Sequence, residues 1–145
     1  MVISEEVNMN KDDFIKKVMT LANIENKEIA ERGVQIVFSL LSYRLTEGEQ
    51  KDVEAQLPHD LKRIWNNRVW AVNFFRLSGK RLKYRHKMEL MSLVDNEIKR
   101  EKLPLHAERL TKAVFHALKE NISFGESEDI AHMLPKDVRE FYKAA

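Results

Sequence analysis

An internal repeat constrains the fold more than any other feature of this sequence. Residues 30–65 align without a gap with residues 107–142, at an offset of 77 positions, and 12 of the 36 aligned residues are identical. Each copy contains the pattern G-E-x-x-D-φ-x-x-x-L-P, in which φ is Val or Ile. Upstream, a one-residue shift aligns Lys11 with Lys87. This self-similarity predicts two copies of one structural unit.

The spacing of apolar residues predicts that each copy is helical. Apolar side chains recur with a helical period, and the chain has only four Gly and three Pro residues, which argues against a sheet protein rich in tight turns. We therefore predict an all-α protein of about eight helices, arranged as two pseudo-symmetric four-helix repeats in one compact bundle. The predicted helices are residues 12–23, 27–45, 47–56, one helix beginning at Pro58, then 87–101, 105–122, 125–133 and 135–143.

The two repeats are expected to share one core, because each alone would bury little apolar surface. We predict a single domain over residues 1–145. Repeat one spans about 10–65, a connector about 66–86, and repeat two about 87–143. The core is predicted to centre on seven residues of the two longest helices: Ile36, Val37, Leu40, Leu41, Val114, Phe115 and Leu118. Each of the prolines Pro58, Pro104 and Pro135 suits the first turn of a helix, where a missing N–H costs nothing.

The repeated acids raise the question of a duplicated active site. Thr46 and Ser123 each stand three residues before a Glu, Glu49 and Glu126, which is the pattern of a capping box. In a capping box the hydroxyl accepts from an early helical N–H, and the Glu reaches back to the N–H of the cap residue. The neighbouring glycines let the chain turn. These structural roles are the favoured interpretation of the motif.

An alternative interpretation gives the repeated acids a chemical role. Asp52 and Asp129 follow the motif glutamates by three residues, so each copy offers a carboxylate pair on the first turns of a helix. Such pairs could serve a metal-dependent or small-molecule enzyme through Glu49, Asp52, Glu126 and Asp129.

The doubled motif, each copy preceded by A-E-R-x-x-x-x-V-F, resembles a bacterial family known as a domain of unknown function. The resemblance extends from about Lys11 to Tyr142. It implies a small all-helical protein with two repeats, and it supplies no catalytic residue to transfer. The aromatic and basic connector of this chain departs from that pattern.

Several classes of chemistry are excluded or unsupported. The chain has no Cys, so disulfides, thiol catalysis and Cys-based zinc sites are excluded. It has no G-x-G-x-x-G, P-loop, nucleophile-elbow or H-E-x-x-H pattern. The first residues lack a signal-peptide pattern, and no apolar run is long enough to span a membrane. We expect a cytoplasmic protein and favour a non-enzymatic role, with no catalytic residue, cofactor or metal ligand.

The connector carries an unusual charge and aromatic content. Between Leu61 and Lys87 there are nine basic residues and no acidic residue. If one helix ran from Pro58 to Leu77, apolar side chains would cover both of its faces; alternatively, Asn66 and Asn67 break the helix. The candidate interface residues are Trp70, Phe74 and Leu77. The candidate anion-binding residues are Arg76, Lys80, Arg81, Lys83, Arg85 and Lys87.

Three hypotheses of function follow. The first is a non-enzymatic binding or scaffold module that self-associates or binds a protein partner, because a helix with two apolar faces needs a cover. The second is a weak nucleic-acid or anion binder that uses basic residues 76–87. The third is the enzyme or metal protein based on the repeated carboxylates.

Overall fold

The computed structural model describes residues 10–67 and 84–145, and the regular secondary structure of these two segments is entirely helical, with no strand. The prediction of an all-α fold is confirmed. A 3-10 turn at His59–Leu61 leads directly into the fourth helix. The eight α-helices in the described residues are α1 Lys11–Ala22, α2 Lys27–Tyr43, α3 Glu47–Gln56, α4 Lys62–Asn66, α5 Lys87–Arg100, α6 Ala107–Asn121, α7 Phe124–Met133 and α8 Lys136–Ala144.

Side-chain caps fix where the long helices begin. Asn10 Oδ1 accepts from the Asp13 N–H at 2.8 Å, and Asn26 Oδ1 accepts from the Ile29 N–H at 3.0 Å. His106 caps α6 through Nδ1, a role that the sequence analysis missed because His is not a favoured cap residue. Pro104 therefore lies in the loop before α6, and its predicted place in the first turn of that helix is wrong.

The first helix of each repeat packs on the second helix of the other repeat. In this way α1 lies against α6, and α5 lies against α2. The corresponding pairs α2 with α6 and α3 with α7 also contact each other. This pattern is the one expected for a pseudo-two-fold axis that passes between α2 and α6 and between α3 and α7. Apolar residues from both repeats consequently form one core.

The core repeats the same aromatic contact in both halves. The rings of Phe38 and Trp65 are 5.1 Å apart at 73°, and the rings of Phe115 and Tyr142 are 5.1 Å apart at 69°. Both pairs take the edge-to-face arrangement that aromatic rings prefer. The predicted core is also confirmed, since all seven of its residues are buried.

An Asp of the last helical segment caps the first helix of the same repeat. Asp60 accepts from the backbone N–H of Lys11 at 3.1 Å, and Asp137 accepts from that of Lys87 at 3.0 Å. The donors are the two lysines that the shifted alignment pairs. A negative charge at a helix N-terminus is favourable, and here it also ties the ends of each repeat together.

The symmetry is broken where an identical pair would clash. Gly33 of α2 and Leu110 of α6 are aligned positions, and they face each other across the axis. A Cβ on Gly33 would lie 2.8 Å from Leu110 Cδ1. A leucine at both positions could not be accommodated, so a glycine in one copy allows the close approach of α2 and α6.

The motif glycines do not have the turn role expected of them. Gly48 and Gly125 lie inside the first turns of α3 and α7, and neither has a positive φ. A Cβ added at either position would meet no atom within 4 Å. The turn is made by Thr46 and Ser123, whose extended backbone precedes each helix.

The helix that follows Pro58 ends at Asn66, with Asn67 in an extended conformation at φ −93° and ψ 103°. A continuous helix from Pro58 to Leu77 is therefore wrong, and the alternative of a break at Asn66 and Asn67 is correct. The candidate interface residues Trp70, Phe74 and Leu77 lie outside the described residues. Within the described segments, no helix is long and apolar enough to cross a membrane.

The glycines provide a test of this packing. We expect Gly48→Ala and Gly125→Ala each to raise the free energy of unfolding by about 0.5 to 1 kcal/mol, because alanine has the higher helix propensity and fits both sites. Gly33→Ala should lower the free energy of unfolding, because the added methyl group would force the buried Leu110 side chain to move. Urea denaturation followed by circular dichroism measures all three, and a Gly33→Ala variant as stable as Gly48→Ala would contradict the contact across the axis.

Candidate metal centre

The contact between α3 and α7 brings the two motif glutamates together. Glu49 lies in the first turn of α3 and Glu126 in the first turn of α7, at aligned positions of the two repeats. Because the pseudo-two-fold axis passes between these helices, each glutamate meets its own counterpart. Both side chains are buried, with 7% of each residue exposed.

The buried carboxylates lack the partners that such groups normally have. Glu49 Oε2 and Glu126 Oε2 are inaccessible to solvent and have no hydrogen-bond partner in the described structure. Buried polar atoms are almost always hydrogen-bonded, and an unsatisfied carboxylate is costly. Two unsatisfied carboxylate oxygens at aligned positions therefore require an explanation.

The capping boxes form only in part. Thr46 Oγ1 accepts from the Glu49 N–H, and Ser123 Oγ accepts from the Glu126 N–H, both at 3.1 Å. The reciprocal bond to the Ser123 N–H differs from the prediction, because that group donates to Gln56 Oε1 at 2.6 Å. The Glu126 carboxylate is consequently not used as a cap, and it points into the inter-repeat contact.

A third carboxylate completes the group. One oxygen from each of Glu49, Glu126 and Asp129 lies within 4.8 Å of the others, and we call these three residues the carboxylate cluster. Asp129 is exposed, so the cluster reaches the surface at this residue. Asp52, the aligned counterpart of Asp129, is exposed and is not part of the cluster. The structure thus brings together three of the four repeated acids singled out in the sequence.

The carboxylates of the cluster destabilise one another in their charged forms. Burial raises the pKa of the Glu126 carboxyl above its ordinary value, and the nearby Asp129 carboxylate raises it further. Both effects disfavour the charged form. A bound cation would offset both, since it would supply opposite charge and a partner for the unsatisfied oxygens.

The structure describes two of the six candidate anion-binding residues. The Lys87 ammonium pairs with Glu108 at 3.3 Å and lies 4.5 Å from the centre of the Phe141 ring. Arg85 is exposed. Since Lys87 already has an anionic partner, it is a poor candidate for binding a further anion. The others, Arg76, Lys80, Arg81 and Lys83, lie outside the described residues, and their role stays a prediction.

The similarity of the sequence to known proteins gives the family. A family model described as "Uncharacterized conserved protein (DUF2267)" matches residues 11–141. The chain belongs to this family. Its matched range covers both repeats except for their outermost residues, and it includes all three residues of the carboxylate cluster. No curated protein matches the chain significantly.

The raised pKa of Glu126 predicts an unusual dependence of stability on pH. The folded chain binds a proton at Glu126 at a higher pH than the unfolded chain does, so this group's contribution to the free energy of unfolding should increase as the pH falls through its raised pKa. Asp12 and Asp137, whose pKa values are lowered in the fold, contribute with the opposite sign. The difference between the wild type and Glu126→Gln isolates the contribution of Glu126.

The measurement is urea denaturation of both proteins in the presence of a chelator, from about pH 7 down to about pH 4.5. We expect the stability of the wild type to improve relative to that of Glu126→Gln as the pH falls. Parallel stability curves would show that Glu126 titrates alike in the folded and unfolded chains.

Proposed function

We propose that this chain is a binding module whose ligand is a hard divalent cation, held between the two repeats by Glu49, Glu126 and Asp129. The observation that carries the proposal is the convergence of two buried carboxylates, each with an unpartnered oxygen, on an exposed third. The sequence pattern favours structural caps and predicts no metal ligand. The partly formed capping boxes weaken that interpretation and support this one.

The kind of ligand follows from the atoms that face the site. Three carboxylates provide only oxygen donors and as many as three negative charges, which suits Mg²⁺, Ca²⁺ or Mn²⁺ better than the metals that prefer sulfur or imidazole. Ligand atoms up to 4.8 Å apart can lie on opposite sides of Ca²⁺, which binds oxygen at about 2.3 to 2.6 Å. Mg²⁺, at about 2.0 to 2.1 Å, would require the ligands to move closer.

A binding role suits the position of the cluster better than catalysis. Two of its three carboxylates lie in the contact between repeats, where a cation would join α3 to α7. Binding free energy at such a site adds to the stability of the packed state. The cation would then strengthen the inter-repeat contact. This proposal takes the non-enzymatic role from the first hypothesis and the carboxylates from the third, and it replaces the protein partner of the first hypothesis with a cation.

Cation binding is tested by calorimetric titration of the chelator-treated protein with Ca²⁺, Mg²⁺ and Mn²⁺, together with thermal unfolding. We expect saturable binding and a rise in stability of about 2.7 kcal/mol at a free cation concentration 100 times the dissociation constant. Glu126→Gln should lose this stabilisation, yet be more stable than the wild type by about 1 kcal/mol in chelator, because an unsatisfied charge has been removed.

The repeat supplies a matched control for general charge effects. Asp129→Asn should weaken binding, whereas Asp52→Asn removes the same charge at the aligned position and should leave binding unchanged. Absence of binding up to about 1 mM cation, the weak end of known calcium sites, would overturn the proposal. An equal loss of cation affinity in Asp129→Asn and in Asp52→Asn would also overturn the proposal, since it would indicate diffuse attraction of cations to an acidic surface.

A further inference from the structure

A side chain outside the carboxylate cluster joins the two helices that carry it. Gln56, the last residue of α3, accepts from the Ser123 N–H through Oε1 at 2.6 Å, and its Nε2 donates to Ser123 Oγ at 3.4 Å. Ser123 is the N-cap of α7. We call this pair of hydrogen bonds the Gln56–Ser123 bridge.

The bridge lies on the same side of both helices as the acids. Gln56 follows Glu49 by seven residues, which is two turns along one face of α3. Ser123 precedes Glu126 by three residues and directly begins α7. The bridge therefore joins α3 to α7 at a point two helical turns along α3 from Glu49 and about one turn along α7 from Glu126.

The bridge exists on one side of the pseudo-two-fold axis only. The aligned counterpart of Gln56 is Met133, and that of Ser123 is Thr46. A thioether is a weak acceptor and donates no hydrogen bond, so Met133 cannot reproduce the bridge at Thr46. The cluster has the same asymmetry, because it includes an Asp from α7 and none from α3.

We infer that Gln56 is the positioning residue of the cation site. It satisfies the Ser123 N–H in place of Glu126 and keeps α3 close to α7 when no cation offsets the repulsion between carboxylates. This inference rests on the proposed function, since it concerns the affinity of that site. Groups hydrogen-bonded to metal ligands typically change affinity by about 10- to 100-fold when they are removed. Gln56 acts one bond further out, through the Ser123 hydroxyl that accepts from the Glu126 N–H, so we expect the lower end of that range.

The repeat allows a test by exchange. Gln56→Met copies the residue of the other repeat and should weaken Ca²⁺ binding about 10-fold in calorimetric titration. The double variant Gln56→Met/Met133→Gln moves the amide to the other side of the axis, next to Thr46, and should recover most of the affinity. Circular dichroism in chelator establishes that each variant is folded, and Gln56→Ala serves as the second single variant.

The outcomes separate this inference from the proposed function. If the wild type binds no cation, the proposed function and the inference both fail. If the wild type binds and the single Gln56 variants bind equally well, the cation site stands and the positioning role is overturned. A loss of affinity that the exchange does not recover also overturns it, because the amide would then matter for something other than joining α3 to α7.

Discussion

The reciprocal packing of each repeat on the other is the constraint from which the remaining structure follows. The first helix of one repeat covers the second helix of the other, so neither repeat can bury its apolar face alone. The close approach of α2 to α6, permitted by Gly33 against Leu110, sets the position of the pseudo-two-fold axis. Every side chain near that axis must face its own aligned counterpart.

The facing of aligned residues across the pseudo-two-fold axis has opposite consequences for apolar and charged side chains. At Gly33 and Leu110 the two copies have diverged, because two large side chains would overlap. At Glu49 and Glu126 both copies carry an acid, although two buried carboxylates repel each other and have unsatisfied oxygens. Neither capping nor packing accounts for this cost, whereas a cation between the carboxylates would offset it.

Much of the fold was predictable because its signals are local. Helical periodicity placed the helices close to their observed ends, and Asn10, Thr46 and Ser123 cap as their residue types suggest. Two predictions about helix ends were wrong, because residue type alone does not decide where a helix begins or ends. Pro104 lies in a loop because His106 caps α6, and the helix after Pro58 ends at Asn66 although apolar residues continue beyond it.

The sequence by itself determined the helices, the duplication and the short list of acids, since period, caps and repetition are properties of nearby or aligned residues. The tertiary structure decided which acids meet. Gln56 and Ser123 are 67 positions apart. Only the packing of α3 on α7 reveals that the backbone N–H of Ser123, which a capping box would pair with Glu126, donates to Gln56 instead. A capping pattern specifies where a glutamate can reach, whereas the competing donors and acceptors of another helix decide where it goes.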